Sequence, residues 1–345
     1  MTAASRPSAF HCLTYALLIL PPLLLTSYFL AAFPNRPESI QVSPSLASLP
    51  KQAKSWSVYP EDIYGEGGYA RFPYGKVKYW MLGPEDGKKI VLIHGLSIPA
   101  LIWKDVAPRL AARGYRVLLY DLYGRGYSDA PQTTYDTTLY VTQLALLMQH
   151  VKWEKAYLVG VSMGGALAAA FTVNFPELVQ DKVVVLASAG LIKTSDLSRT
   201  TKVMSSPLIQ TLTSSWIARK FIQRLTDSAN ETSDKPVNPI QEIVRLQSAH
   251  LPGYNAAISS SLRDGPVRGE EDSFMNDVWD NRRLLIIHGT RDNTVPYKYA
   301  SEIQSLVVES GCHSEIVTIE GAGHDLTVSH PDVIVDNIGR FLSLS

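Results

Sequence analysis

Short, almost continuously apolar runs constrain this chain most. They occur at 89–94 (KIVLIH), 115–121 (YRVLLYD), 155–160 (KAYLVG), 182–188 (KVVVLAS) and 283–289 (RLLIIHG). A strand apolar on both faces must be covered on both faces, which is the condition inside a parallel sheet. Between and beyond these runs lie segments with helical character at 101–113, 137–151, 164–175, 297–309 and 332–342. Gly114 and Pro176 supply helix stops for two of them. Upstream, 69–72 and 77–82 flank Pro73-Tyr74-Gly75-Lys76 and read as a β-hairpin. With 315–319 added, the chain has eight expected strands, the first two antiparallel. The alternation predicts an α/β architecture: a mostly parallel eight-stranded sheet flanked by helices, built from 60–190 and 282–345.

The alternation stops over 191–281. Within that stretch 207–225 carries helical spacing, 226–239 is polar and turn-rich, and 241–251 is a second helix candidate. An insertion leaving the carboxyl end of a strand sits beside the crevice where open α/β sheets bind ligands, so a helical lid is expected there. The amino-terminal region differs again. No charged side chain occurs over 13–33, and leucine dominates. At roughly 1.5 Å per residue such a stretch can cross a bilayer core. Residues 1–33 are therefore expected to be a single-pass anchor or a signal segment of the secretory pathway. A cleavage site near Ala31 or Ala32 places Phe29 or Leu30 where a small residue is wanted, which favours the anchor. Arg6 and Arg36 flank both ends and do not orient it. Residues 34–59, proline- and serine-rich, read as a linker or loosely packed strap.

The chemistry is carried by Gly160-Val161-Ser162-Met163-Gly164, with an apolar strand before it and a small-residue helical segment after it. This is the G-x-S-x-G pattern of a strand–turn–helix elbow. A sharp turn projects the serine hydroxyl, and glycines two before and two after keep side chains out of its way. A serine hydroxyl needs a base oriented by an acid, and in this topology they follow it in the order acid, then histidine. Asp292 lies just past 283–289 and His324 just past 315–319. Ser162, Asp292 and His324 are therefore the expected triad. His313, His330 and His250 are badly placed along the chain, and His94 and His288 read as packing or loop-supporting residues. The oxyanion needs backbone donors: Met163 N–H after the nucleophile, and Leu96 N–H in His94-Gly95-Leu96-Ser97, with Ser97 N–H as its competitor. Asp121 and Arg125, in 121–129, are expected to brace the loop around the nucleophile.

Taken together, HG at 94–95, D-x-x-G-x-G-x-S at 121–128, GVSMGG at 160–165, HGTRDNTVP at 288–296 and GAGHD at 321–325 resemble the α/β-hydrolase superfamily. The pattern is similar to its cap-bearing esterases, monoacylglycerol lipases and C–C hydrolases. The resemblance implies an α/β-hydrolase fold and a serine hydrolase acting on a carboxylic ester, lipid-like or a small acyl ester. A C–C bond hydrolase or thioesterase with the same triad is the alternative, and a non-catalytic binding module a more distant one. The serine disfavours the related chemistries that use an aspartate nucleophile. No organic cofactor or metal is implied, and the expected partner is an apolar small-molecule ester. Thirty-two basic and thirty-two acidic side chains cancel, so nothing electrostatic recommends nucleic acid as a partner. Cys12 and Cys312 form no disulfide framework or zinc spacing. Asn230-Glu231-Thr232 is an N-glycosylation sequon, in keeping with a secretory-pathway glycoprotein.

Overall fold

The computed structural model describes residues 9–32, 40–197, 202–203, 205–206, 220 and 238–343. The chain divides into two units, Met1–Ile40 and Gln41–Ser345. The first holds one helix, α1 (Ala9–Ala32), with Pro21 and Pro22 inside it. Its window Leu13–Ala31, 19 residues with none buried, is long and apolar enough to cross a membrane.

The second unit is built on strands β1 (Gly67–Phe72), β2 (Gly75–Leu82), β3 (Lys88–Ile93), β4 (Tyr115–Tyr120), β5 (Ala156–Val161), β6 (Val179–Leu186), β7 (Arg283–Gly289) and β8 (His313–Ile319). They form one sheet in the order β8-β7-β6-β5-β3-β4-β2-β1. β2 runs antiparallel to both β1 and β4, and every other neighbour pair is parallel. The apolar runs are buried as their composition demands: every residue of β4, and all of β7 except Arg283, is buried. β8, at the edge, is only partly covered. The helices of six or more residues are α2 (Ala107–Ala112), α3 (Thr137–His150), α4 (Met163–Asn174), α5 (Pro239–His250), α6 (Tyr254–Asp264), α7 (Lys298–Glu309) and α8 (Pro331–Ser343). The Asp136 side chain caps α3 by accepting from Leu139 N–H at 2.8 Å.

Two expectations are corrected. The helix expected over 101–113 is a short 3-10 turn, Ala100–Trp103, followed by the separate helix α2. Pro108 is the reason: it lacks an N–H and fits only the first turn of a helix. The described part of 34–59 is more tightly bound than a linker. Leu46 and Tyr59 are fully buried, Val42–Ser43 pairs with Ala130–Pro131, and Lys54 Nζ lies 2.9 Å from the buried Glu242 carboxylate on α5. Single apolar residues spaced among prolines and serines gave no periodic signal for this packing. The helix expected over 207–225 lies outside the described residues, apart from Lys220, and so does the sequon at 230–232.

The sheet register sets up the site. Ile93 lies opposite Gly160, Val161 opposite Leu186, Leu186 opposite Ile287, and Gly289 opposite Ile319. The carboxyl ends of β3, β5, β6, β7 and β8 thus finish along one rim, where the loops carrying Leu96, Ser162, Asp292 and His324 emerge.

Candidate active site

Ser162 stands between β5 and α4 with φ 57° and ψ −123°. Such a conformation costs a non-glycine residue about 1–3 kcal/mol and persists only where neighbours over-determine it. Here Ser162 N–H donates to Leu186 O at 2.9 Å, and its carbonyl accepts from Gly165 and Ala189 N–H, both at 3.0 Å. The glycines serve close backbone approach. A Cβ on Gly164 would lie 2.3 Å from Ile93 O, and one on Gly160 2.0 Å from Gly164 O.

The loops after β7 and β8 are stitched together. Thr290 N–H donates to Ile319 O at 3.2 Å, Arg291 N–H to Ala322 O at 2.9 Å, and Gly321 N–H to Thr290 Oγ1 at 2.9 Å. A side chain at Gly289 would meet Ala322 O at 2.3 Å. This seam carries Asp292 and His324 side by side.

The three expected side chains meet. His324 Nδ1 lies 2.7 Å from Asp292 Oδ2, and His324 Nε2 lies 3.0 Å from Ser162 Oγ. Asp292 Oδ1 accepts from Thr294 and Val295 N–H, both at 2.8 Å. Burial opposes charge on Asp292, but hydrogen bonds from His288 and His324, the His324 charge and the Val295 amide outweigh it. They hold the carboxyl well below its ordinary 3.8. An ionised carboxylate only accepts, so His324 carries its proton on Nδ1 and offers Nε2 to the serine hydroxyl. The site is a hydroxyl–imidazole–carboxylate chain in which the imidazole can take the hydroxyl proton while the carboxylate stays ionised.

His288 and His94 support loops, as their strand-end positions suggested. His288 Nε2 donates to Val295 O at 2.9 Å and lies 3.5 Å from Asp292 Oδ2. His94 Nε2 accepts from Leu122 N–H and its Nδ1–H donates to Gly95 O, both at 2.8 Å. Burial, with Arg125 adding to it, pushes this imidazole from 6.5 down to about 3 against the pull of the Gly95 carbonyl. The ring is a fixed neutral brace. Of the remaining rivals, His313 begins β8 and His330 ends a short turn of helix, both away from Ser162 in the hydrogen-bond pattern.

Asp121 and Arg125 do brace the surrounding loops. Asp121 is fully buried and accepts from Ala100 N–H and Tyr127 N–H at 2.8 Å and from Tyr59 OH at 3.0 Å. Burial raises its carboxyl from 3.8 to about 7, with those three donors pulling the other way.

Gly95, Leu96, Ser97, Ser162, Met163 and His324 border a cavity of about 450 Å³. Gly95 lies so close to the serine that a Cβ there would be 3.1 Å from Ser162 Cβ. Met163 N–H belongs to the first turn of α4 and has no acceptor within the helix.

A β1–β2 hairpin, a strand order crossing at β3–β4, and a serine elbow after β5 define an α/β-hydrolase fold. The profile of the Alpha/beta hydrolase family matches residues 90–337, and the chain belongs to that family. It is 27% identical over 272 residues to the pimeloyl-[acyl-carrier protein] methyl ester esterase of Aliivibrio salmonicida, covering 76% of this chain and 95% of that one. It is 26% identical over 243 residues to the 2-hydroxy-6-oxo-2,4-heptadienoate hydrolase of Pseudomonas putida, covering 66% of this chain and 80% of that one. Among solved structures it is similar to a membrane phospholipase A described as a bacterial virulence factor. That match has a TM-score of 0.63, 20% identity, and coverage of 96% of this chain and 97% of that one. The family is one of hydrolases, and the relatives named here differ in reaction and substrate by their names.

Proposed function

We propose that the chain is a serine hydrolase that cleaves a neutral, apolar carboxylic ester through an acyl-enzyme. The observation that carries this reading is His324 bridging Asp292 at 2.7 Å and Ser162 at 3.0 Å. Ser162 Oγ attacks the ester carbonyl as its proton passes to His324 Nε2. Asp292 keeps the imidazole in its working tautomer and stabilises the imidazolium. The Leu96 and Met163 N–H groups receive the oxyanion. His324 then gives its proton to the leaving alcohol. In the second half it takes a proton from the water that attacks the acyl carbon, and Ser162 is restored.

The cavity supports the substrate class. Ile98, Ile102, Ile192, Ile240, Leu262 and Val267 give it aliphatic walls, and among its described lining residues there is no lysine or arginine. Asp196 lies on the wall and is paired with Lys298. A dienoate, the kind of substrate named for the Pseudomonas relative, brings a carboxylate that these walls leave uncompensated. That favours an uncharged ester over C–C cleavage of an anionic substrate. Residues 191–281 act in this reading as the lid over the core formed by 60–190 and 282–345, since Ile192, Ile240 and Leu262 belong to that stretch. The helix Ala9–Ala32 serves as a membrane anchor rather than a cleaved signal, which suits a lipid-like ester.

A fluorophosphonate probe is expected to label the wild-type chain and not Ser162→Ala. Neutral p-nitrophenyl esters are expected to turn over, with acyl chains of several carbons preferred to acetyl. Labelling that survives Ser162→Ala, or turnover confined to thioesters or dienoates, would refute the assignment. Resistance of the full-length chain to carbonate extraction from membranes tests the anchor.

A further inference from the structure

The loop after β3 is gripped from behind at three consecutive carbonyls. His94 Nδ1–H donates to Gly95 O at 2.8 Å, Arg125 Nε–H to Leu96 O at 2.8 Å, and the Tyr254 hydroxyl to Ser97 O at 2.9 Å. Gln247 Nε2 adds a bond to Ser97 O at 3.3 Å. No cis peptide occurs among the described residues. In a trans peptide the carbonyl and the following N–H point in opposite directions. Each donor that fixes a carbonyl therefore fixes the aim of the next N–H. His94 sets Leu96 N–H, and Arg125 sets Ser97 N–H. Tyr254, with Gln247, pins the far side of Ser97. Gly95, Leu96 and Ser97 border the cavity beside Ser162.

Three of these four grips lead to α5 and α6. Tyr254 is the first residue of α6 and Gln247 lies on α5. Arg125 reaches α6 through Ser261 Oγ at 2.8 Å, while Gln247 Oε1 accepts from Gly126 N–H at 2.7 Å. Arg125, Gln247 and Ser261 are fully buried and Tyr254 nearly so. Arg125 also donates to Tyr123 O and the Tyr140 hydroxyl, and among the described residues no carboxylate pairs with it. A buried guanidinium with only neutral acceptors is costly to keep. Here it holds the carbonyl of Leu96, the residue whose N–H is the proposed oxyanion donor.

We propose that Arg125 and Tyr254 are positioning residues for the oxyanion loop: Arg125 fixes the Leu96–Ser97 peptide and Tyr254 the Ser97–Ile98 peptide, holding Leu96 in place from the side opposite the His94-aimed N–H, so that α5 and α6 govern transition-state stabilisation and not merely access to the cavity. The proposal rests on the serine-hydrolase reading above. It makes the insertion a part of the catalytic apparatus: a shift of α6 loosens the Leu96 and Ser97 carbonyls together, and with them the peptides on the carboxyl side of the Leu96 N–H.

The test is carried out on the full chain with Tyr254→Phe, which removes one hydroxyl and keeps the ring, and with Ser261→Ala, which frees the far end of Arg125. Each variant is assayed on a p-nitrophenyl ester, on a trifluoromethyl ketone of matching chain length, and on the corresponding alcohol. Ser162 Oγ adds to the ketone carbon as its proton passes to His324, leaving an oxyanion in the donors' grasp; the alcohol fills the same cavity without one. For Tyr254→Phe we expect kcat to fall about tenfold with KM within about twofold, and ketone affinity to fall in parallel while alcohol affinity holds. A general loss of stability moves the melting temperature and the active-site titre, but not the ketone-to-alcohol ratio. Should Tyr254→Phe fail to fold, Ser261→Ala carries the same ratio test. An unchanged ratio in the folded variants, or losses confined to KM and alcohol affinity, overturns the proposal. Failure of the underlying reading looks different: the wild-type chain then shows no preference for ketone over alcohol, and the proposal falls with it.

Discussion

Replacing Asp292 by asparagine changes one atom and tests the whole proton path. In the wild type, Oδ1 accepts two backbone N–H groups at 2.8 Å while Oδ2 faces His324 Nδ1 at 2.7 Å. In Asp292→Asn the amide oxygen must keep the two backbone donors, because an NH2 group there would leave donors facing donors. The NH2 group then faces His324 Nδ1, which has to become the acceptor. The ring proton moves to Nε2, 3.0 Å from Ser162 Oγ, where a base is needed. Restoring the working tautomer sets N–H against N–H at a buried position, at a cost of about 1–3 kcal/mol. The imidazolium formed during attack also loses a carboxylate whose charge is centred about 4 Å away, worth about 4 kcal/mol at an effective dielectric constant of about 20. Together these slow acylation by about four orders of magnitude, at 1.36 kcal/mol per decade. Stopped-flow release of p-nitrophenol gives the acylation rate directly. KM is expected to hold, since the cavity walls are untouched. An acylation rate within tenfold of the wild type, in a folded variant, would contradict the proposed role of His324 as general base.

Two further perturbations follow from the same geometry. Gly164→Ala places a Cβ 2.3 Å from Ile93 O and 2.5 Å from His94 O, against backbone that cannot yield. Gly95→Ala places one 3.1 Å from Ser162 Cβ and 3.6 Å from Ser162 Oγ. Gly164→Ala should therefore lower the melting temperature markedly, by about 2–4 kcal/mol of stability, a value within the range of overpacked or strained sites. Gly95→Ala should keep most of the stability and lose most of the activity; equal melting temperatures for the two variants would undercut the argument. The buried His94 gives a pH dependence. Its imidazole ionises at about 3 in the folded chain against 6.5 ordinarily, so between those values the unfolded chain binds the extra proton. Stability then falls as pH drops from 6.5 toward 3. In urea titrations the advantage of wild type over His94→Gln should shrink as pH falls through this window, and a pH-independent gap would contradict the assignment of a neutral buried ring.

Much of the fold was legible because its information is local. The parallel strands announce themselves as runs that only a doubly covered sheet can bury, and β4 is buried at every residue. Ser162 is legible because an elbow needs particular glycines at fixed offsets, and the close backbone approach at Gly160 and Gly164 shows why nothing larger fits. Asp292 and His324 are legible by order along the chain, since each follows the strand whose carboxyl end reaches the rim. Helical periodicity failed at 101–113, where Pro108 restricts helix to a late start and the preceding turn is 3-10. It also failed for the strap, whose buried Leu46 and Tyr59 are held by bonds to distant partners, Leu46 N–H to Gly126 O at 3.0 Å and Tyr59 OH to Asp121 at 3.0 Å.

Arg125 is expected as a brace from its place in 121–129, but the exact partners of the loop after β3, and Tyr254 and Gln247 among them, were the least legible, for a physical reason. Arg125 lies 29 residues from the carbonyl it holds, and Tyr254 and Gln247 lie 157 and 150 residues from theirs. No periodicity connects such pairs; tertiary structure alone brings them together. One sign was nonetheless available in the sequence: Gln247 interrupts the apolar stripe of α5 beside Ile243 and Leu246, and in the fold all three are buried. A buried amide must find partners, and Gln247 finds Gly126 N–H and Ser97 O, one on each loop beside the serine. The strain stored at Ser162 shows the same division. The turn is specified by its own glycines, but it is held in place by Leu186 and Ala189, the end of a neighbouring strand and the loop that follows it. Local sequence thus selects which residues can react, whereas their aim depends on contacts made across the whole rim of the sheet. Changes on α6 should consequently alter the rate of bond-making without touching Ser162, Asp292 or His324.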